Sequence, residues 1–173
     1  MSSRARKCRL PSWVAVLGLS LSIFIFIFTL FIFLLGNALP AWAALGGDTV
    51  SILADQGQME GNRKTIAADS YTVHEIQGEN GTIVREYQGA DGKVFGVAWH
   101  GRFMPDMRQI LGSYFDQYAQ ARQAQNGIRA GRHPVMINQP GLVVQMGGHP
   151  GWFIGKAYIP QKLPQGMRAE DIQ

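Results

Sequence analysis

The sequence predicts an α+β fold, an antiparallel β-sheet packed against one main helix, after an N-terminal signal or transmembrane segment. Three observations predict it: a long uncharged N-terminal stretch, β-rich segments separated by Asn-Gly and Asp-Gly turns, and a later segment with helical spacing of apolar residues. We therefore predict two parts, a signal segment over residues 1–43 and a single domain over residues 44–173.

The N-terminus has the layout of a secretory signal. Four cations precede an apolar run over residues 14–35, and no charged residue occurs between Arg9 and Asp48. The small residues around Trp42 supply a cleavage site between Ala43 and Ala44. The expected location of the domain is the periplasm or the outside of the cell.

The same apolar run is long enough for an uncleaved anchor. As a helix, residues 14–35 would measure roughly 33 Å, against a membrane core of about 30 Å. The layout favours cleavage, but anchoring in the inner membrane stays open. Both outcomes bring the run into contact with the membrane, at least in transit, and place residues 44–173 outside the cytoplasm.

The domain begins with a short helix. Asp48 or Thr49 is suited to cap it, and apolar residues at helical intervals carry it through Met59. Glycine and polar residues over 61–64 then predict a loop that leads to Ala68.

A three-stranded meander follows. Residues 71–77, 82–88 and 93–100 are rich in β-branched and aromatic side chains. Asn80-Gly81 and Asp91-Gly92 separate them, and these dipeptides accept the positive φ angles of tight hairpin turns. The three segments therefore pair as consecutive antiparallel strands.

The third strand of this meander has two unequal faces. Large Phe95, Val97 and Trp99 alternate with small Gly96 and Ala98. A helix can approach a sheet closely where side chains are small, so we expect the helix against the Gly96 and Ala98 face.

That helix is predicted over residues 105–125. Pro105 suits its first position, and the apolar residues recur at helical spacing, with polar residues on the opposite side. Strands are predicted after it over 135–137, 142–146 and 152–159, the last two as a hairpin, which brings the sheet to about five strands.

Two further expectations concern the edges of the domain. Because residues 142–146 are apolar, we expect this strand at an exposed sheet edge, where a second copy or a partner subunit could add a strand. Residues 167–173 are predicted to form a loose or weakly docked tail.

The charge and the cysteine content of the domain argue against two classes of function, nucleic-acid binding and thiol chemistry. Residues 44–173 contain twelve basic and twelve acidic residues, so the net charge of +4 lies in the signal segment. Because binding to nucleic acid requires an excess of basic residues, no nucleic-acid partner is expected. Arg122, Arg129 and Arg132 form the only loose basic cluster. The single cysteine, Cys8, precedes the domain, which therefore has no disulfide, thiol nucleophile or thiolate metal site.

The sequence assigns no catalytic residue, metal site or cofactor. The four histidines lack the spacing of known metal motifs, and the serines lack the context of known nucleophiles. A hydrolase that uses scattered carboxylates with His74, His100 or His149 as acid and base remains an alternative.

Two aromatic segments are the candidates for a binding surface. The first is the glycine-rich turn over residues 147–152, which contains His149 and Trp152. The second comprises Trp99, His100 and Arg102 at the end of the third meander strand. The two segments come close together if both hairpins share a sheet.

Several short motifs are distributed along the domain. They include Tyr71-Thr72-Val73-His74-Glu75, Val84-Arg85-Glu86-Tyr87, Val97-Ala98-Trp99, Gly147-Gly148-His149 and Leu163-Pro164. These motifs resemble those of the exported proteobacterial family "domain of unknown function 2844", and the resemblance spans nearly all of residues 44–173. It implies a Gram-negative envelope protein without an assigned activity, and it supplies no catalytic residues.

The sequence thus favours an exported, non-catalytic accessory or binding domain of the cell envelope, with an envelope protein as the expected partner. An envelope hydrolase and an oligomeric or partner-binding subunit are the two alternatives.

Overall fold

A computed structural model shows the predicted α+β architecture, with seven strands rather than about five. It describes residues 28–29, 45–126 and 134–173, so the predicted cleavage site at Ala43 and Ala44 lies outside the described residues. The strands are β1 (Asn62–Ala67), β2 (Tyr71–Gln77), β3 (Ile83–Gly89), β4 (Val94–Gly101), β5 (Val135–Gln139), β6 (Leu142–His149) and β7 (Trp152–Tyr158).

The seven strands form one antiparallel sheet in the order β1-β2-β3-β4-β7-β6-β5. The meander β2-β3-β4 and the β6–β7 hairpin are confirmed. The glycines of the two predicted turns, Gly81 and Gly92, have φ angles of 78° and 74°, as such turns require. Strands β4 and β7 join the meander to the C-terminal hairpin.

Two predictions about the sheet edges were wrong. Residues 62–67 form the edge strand β1 rather than a loop, and residues 142–146 lie in β6, between β7 and β5. The apolar character of β6 reflects burial on both faces, since Val144 and Val143 belong to opposite cores. The free edges of the sheet are β1 and β5.

Three helices cover one face of the sheet, the helix face. The first, α1 (Thr49–Gln58), begins as predicted at Asp48, whose carboxylate accepts hydrogen bonds from the backbone N–H of Val50 and Ser51. The helix predicted over 105–125 is interrupted. It comprises α2 (Met107–Leu111), a 3₁₀ turn (Gly112–Tyr114) and α3 (Phe115–Asn126).

Gly112 explains this interruption. Its φ of 49° and ψ of −122° are not helical, so the α-helix ends there and resumes at Phe115. The two parts still share one core with the sheet. Ile110 and Leu111 of α2 and Ala121 of α3 are buried beside Trp99.

The C-terminal segment, residues 160–173, covers part of the opposite face, which we call the tail face. Ile172 is 1% exposed, and an added Cβ at Gly96 would lie 2.9 Å from its Cδ1. The small face of β4 therefore receives the tail, not the helix, and the large face with Val97 and Trp99 receives the helices.

Hydrogen bonds also fix this tail, so the prediction of a loose or weakly docked tail over 167–173 was wrong. The Tyr87 hydroxyl donates to the Gln173 carbonyl oxygen at 2.9 Å and accepts from the Gln173 N–H at 3.1 Å. Lys156 Nζ donates to the Ala169 carbonyl oxygen at 2.6 Å. The tail is therefore a docked part of the domain.

The described residues of Ala41–Gln173 belong to one compact unit. Before them, Phe28 and Thr29 are helical. Among the helices that the structure describes, none has the length and apolarity needed to cross a membrane.

Candidate functional site

A groove of about 520 Å³ lies beside the tail, where the tail face is not covered. The strands β4, β7, β6 and β5 form its floor, and the tail residues Glu170, Ile172 and Gln173 form one side. Its other lining residues include His100, Met136, Gln145, Ile154 and Lys156.

Large apolar side chains on this part of the sheet are exposed. Met136 is 60%, Ile154 is 53% and Trp152 is 50% exposed. By the registers of β5–β6 and β6–β7, all three project from the tail face. Three large exposed side chains on one face form an apolar surface of the kind that marks interaction sites.

The structure brings together three of the five residues predicted for binding. His100 on β4 and Trp152 on β7 lie side by side on the tail face, with ring centroids 5.9 Å apart. His149 pairs with Trp152 across the β6–β7 hairpin and is exposed, and its Nδ1 donates to the Pro150 carbonyl oxygen at 3.1 Å.

The other two predicted residues are placed differently. Trp99 is 1% exposed in the helix-face core, because side chains alternate along β4 and His100 takes the tail face. Its Nε1 is buried and has no acceptor among the described residues. Arg102 lies beyond the end of β4, exposed, with its guanidinium 5.8 Å from the Phe103 ring centroid.

A second polar site, which the sequence did not single out, is closed inside the helix face. Asp55 of α1 and Glu86 of β3 are 2% and 0% exposed. Gln109 of α2 donates to Asp55 Oδ1 at 2.6 Å. With both groups ionised, Asp55 Oδ2 and both carboxyl oxygens of Glu86 have no hydrogen-bond donor among the described residues; a proton on one acid would let the two neighbouring carboxyl groups bond to each other.

His74 belongs to the same closed region. It is the direct cross-strand neighbour of Glu86, and its ring nitrogens contact Thr65 Oγ1 at 3.3 Å and Gln88 Oε1 at 3.2 Å. Because the Gln88 oxygen can only accept, His74 Nε2 donates to it, and both ring nitrogens of His74 are engaged.

Burial controls the acidity of these carboxyl groups. Desolvation raises the pKa of Glu86 well above its usual value of 4.5, and the neighbouring Asp55 raises it further through a hydrogen bond and its charge. Desolvation also raises the pKa of Asp55, against hydrogen bonds from Glu86 and Gln109 that lower it. Both groups therefore hold a proton to higher pH than they would in water.

The described His, Asp and Glu side chains bear on metal binding and on acid–base chemistry. No group of three or more of these described side chains has the arrangement of a metal site. Carboxylates and a histidine do converge around Glu86, but the three side chains are at most 6% exposed, so a substrate cannot approach them in this conformation. His133, Arg129 and Arg132 lie outside the described residues.

Comparison with known proteins places the domain in a family. No curated protein and no solved structure matches the chain. The family described as "Protein of unknown function (DUF2844)" matches residues 41–172, which includes every strand and helix of the sheet domain. The chain therefore belongs to the DUF2844 family.

Proposed function

We propose that this chain is an exported cell-envelope protein whose domain binds, without catalysis, an extended apolar segment of an envelope protein partner. The groove on the tail face is the proposed binding site. The observation that carries the proposal is the exposure of Met136, Trp152 and Ile154 beside an open groove.

The shape of the groove favours a chain segment as its occupant. Its floor is a pleated sheet, and its neighbouring strands β5 and β6 contain no Lys, Arg, Asp or Glu. An apolar segment would bury Met136 and Ile154, while the rim offers His100 and Gln145 for hydrogen bonds. Aromatic Trp152 supplies a large contact area at low cost in conformational entropy.

The lining residues also favour binding over catalysis. Among the described residues that line the groove there is no Ser, Thr or Cys to act as a nucleophile. Lys156 is engaged by the Ala169 carbonyl oxygen, which leaves its charge directed at the tail. The buried acids near His74 lie on the opposite face and are closed to solvent.

Export is supported by the N-terminal sequence. Cations before residues 14–35, and small residues before Ala44, are typical of a secretory signal. Cell fractionation followed by N-terminal sequencing tests this directly. We expect the domain in the envelope fraction, with Ala44 as the first residue if the signal is cleaved. Full-length protein in the cytosol would contradict the proposal.

Gly147 offers a test of the groove itself. It lies on the groove floor, and an added Cβ would meet only the Pro134 Cβ, at 3.8 Å. The Gly147→Leu variant should therefore fold and fill the groove. We expect it to lose an envelope protein that copurifies with the unmodified chain from detergent-solubilised cells.

The matched control is Gly57→Ala on α1, where an added Cβ meets nothing within 4 Å. This variant should keep the partner. Equal retention of the partner by the Gly147→Leu chain would show that the groove is not the binding site.

A further inference from the structure

The closed polar site joins α1 to the middle of the sheet. Asp55 is the residue of α1 that reaches Glu86 on β3, and Gln109 ties the same carboxylate to α2. Three carboxyl oxygens in this site are buried without a donor among the described residues. An unpaired buried carboxylate is strongly destabilising, so a donor is needed.

The neighbouring side chains do not supply that donor. His74, the cross-strand neighbour on β2, has both ring nitrogens engaged by Thr65 and Gln88. Arg63 on β1 acts on Glu86 through its charge, which lowers the pKa of Glu86. On the β4 side, Glu86 is paired with apolar Val97. The two acids can supply that donor themselves, as a proton held between them.

We propose that Asp55 and Glu86 share one proton, which acts as a latch: while it is bound, it joins α1 to β3, and its loss as the pH rises releases α1 from the sheet. In the closed state the protonated Glu86 donates to Asp55 Oδ2. When the proton leaves, two carboxylates face each other in a buried site and repel.

The direction of the pH dependence follows from the acidity of the pair. The pKa of Glu86 is raised in the folded state, so the latch makes its full contribution to stability below the unfolded-state pKa of 4.5. Its contribution to stability is lost as the pH rises through the folded-state pKa. We call the equilibrium constant for release of α1 the opening constant. Between the unfolded-state and the folded-state pKa of Glu86, the release of one proton on opening raises this constant by about tenfold per pH unit.

Release of α1 would expose part of the helix-face core. Ile52 of α1 is 0% exposed and packs in the same cluster as Ile76 of β2. The Gln88 side chain, which donates to Thr49 Oγ1 at the start of α1, would lose that contact as well. The latch therefore controls access to apolar surface on the helix face, independently of the groove proposed for binding.

Hydrogen exchange of the α1 amides in the full-length chain tests the latch. We expect the opening constant, corrected for intrinsic exchange, to rise by about tenfold per pH unit above the unfolded pKa of Glu86. In Glu86→Gln, whose amide N–H₂ replaces the shared proton, the opening constant should not change with pH. A flat profile for the unmodified chain, or the same rise in Glu86→Gln, would overturn the proposal.

Two further variants keep the test decisive if Glu86→Gln does not fold. Asp55→Asn removes the second carboxylate but leaves Glu86 buried, so its opening constant should rise over a narrower pH range than in the unmodified chain. Glu79→Gln, which changes an exposed carboxylate in the β2–β3 turn, should follow the unmodified chain. The same pH range in Asp55→Asn as in the unmodified chain, or a flat profile in Glu79→Gln, would contradict the latch.

Discussion

The indole of Trp99 occupies the space that a side chain at Gly155 would need. The two residues are direct cross-strand neighbours on β4 and β7, and a Cβ at Gly155 would overlap the indole Cζ2. Because Trp99 is buried and rigid, we expect Gly155→Ala to lower the free energy of unfolding by about 3 kcal/mol. Urea unfolding monitored by circular dichroism measures this change.

The same substitution at Gly57 is the control. Gly57 lies in α1, and an added Cβ would meet nothing within 4 Å. Alanine has a higher helix propensity than glycine, so Gly57→Ala should raise the free energy of unfolding by up to about 1 kcal/mol. If both variants were destabilised equally, crowding against Trp99 would not be the cause.

The Tyr87 hydroxyl should matter for docking of the tail. It both donates to and accepts from the backbone of Gln173, so Tyr87→Phe removes two hydrogen bonds. We expect a loss of about 1–2 kcal/mol in the free energy of unfolding and faster hydrogen exchange at the amides of residues 172 and 173. Tyr71→Phe, in the same aromatic cluster, should leave exchange in the tail unchanged.

Gln125 should protect the free edge of β5. Its Nε2 donates to the Met136 carbonyl oxygen at 2.8 Å, so it occupies an acceptor on the edge strand. We expect Gln125→Ala to promote association through this edge, seen by light scattering as a mass that grows with concentration. Gln123→Ala, at an exposed position of the same helix, should leave the mass unchanged.

Trp152 should contribute to binding but little to stability. It is 50% exposed, so Trp152→Ala should change the free energy of unfolding by less than about 1 kcal/mol. Recovery of the copurifying envelope protein should fall at least tenfold, because buried aromatic anchors dominate interface energies. Leu53→Ala on α1, where the side chain is 49% exposed, should not reduce recovery.

The regular part of the fold could be predicted from local sequence. The Asn-Gly and Asp-Gly turns defined the meander, because these residues tolerate the backbone angles that tight hairpins need. Strand β1 was missed since it lies at an edge, and its exposed side chains, which include Lys64, give no alternation of apolar and polar residues. The break at Gly112 was missed because the apolar spacing continues on both sides of it.

The candidate site was only partly predictable, for two physical reasons. His100 and Trp152 were found as aromatic residues near turns, but the registers that place them together are properties of the sheet. The burial of Trp99 follows from the alternation of side chains along β4, because this alternation puts Trp99 on the face opposite His100. The pair Asp55 and Glu86 could not be found from spacing, because the packing of α1 on β3 brings them together.

The central claim is that the groove on the tail face is the binding surface of an exported domain. Site-specific photo-crosslinking in intact cells tests it most directly, with the reactive residue placed at Ile154 in the groove or at Ile66 on β1, both of which are exposed. We predict an adduct with an envelope protein from position 154 that Gly147→Leu abolishes, and none from position 66. The same adducts from both positions, or none from position 154, would contradict the account.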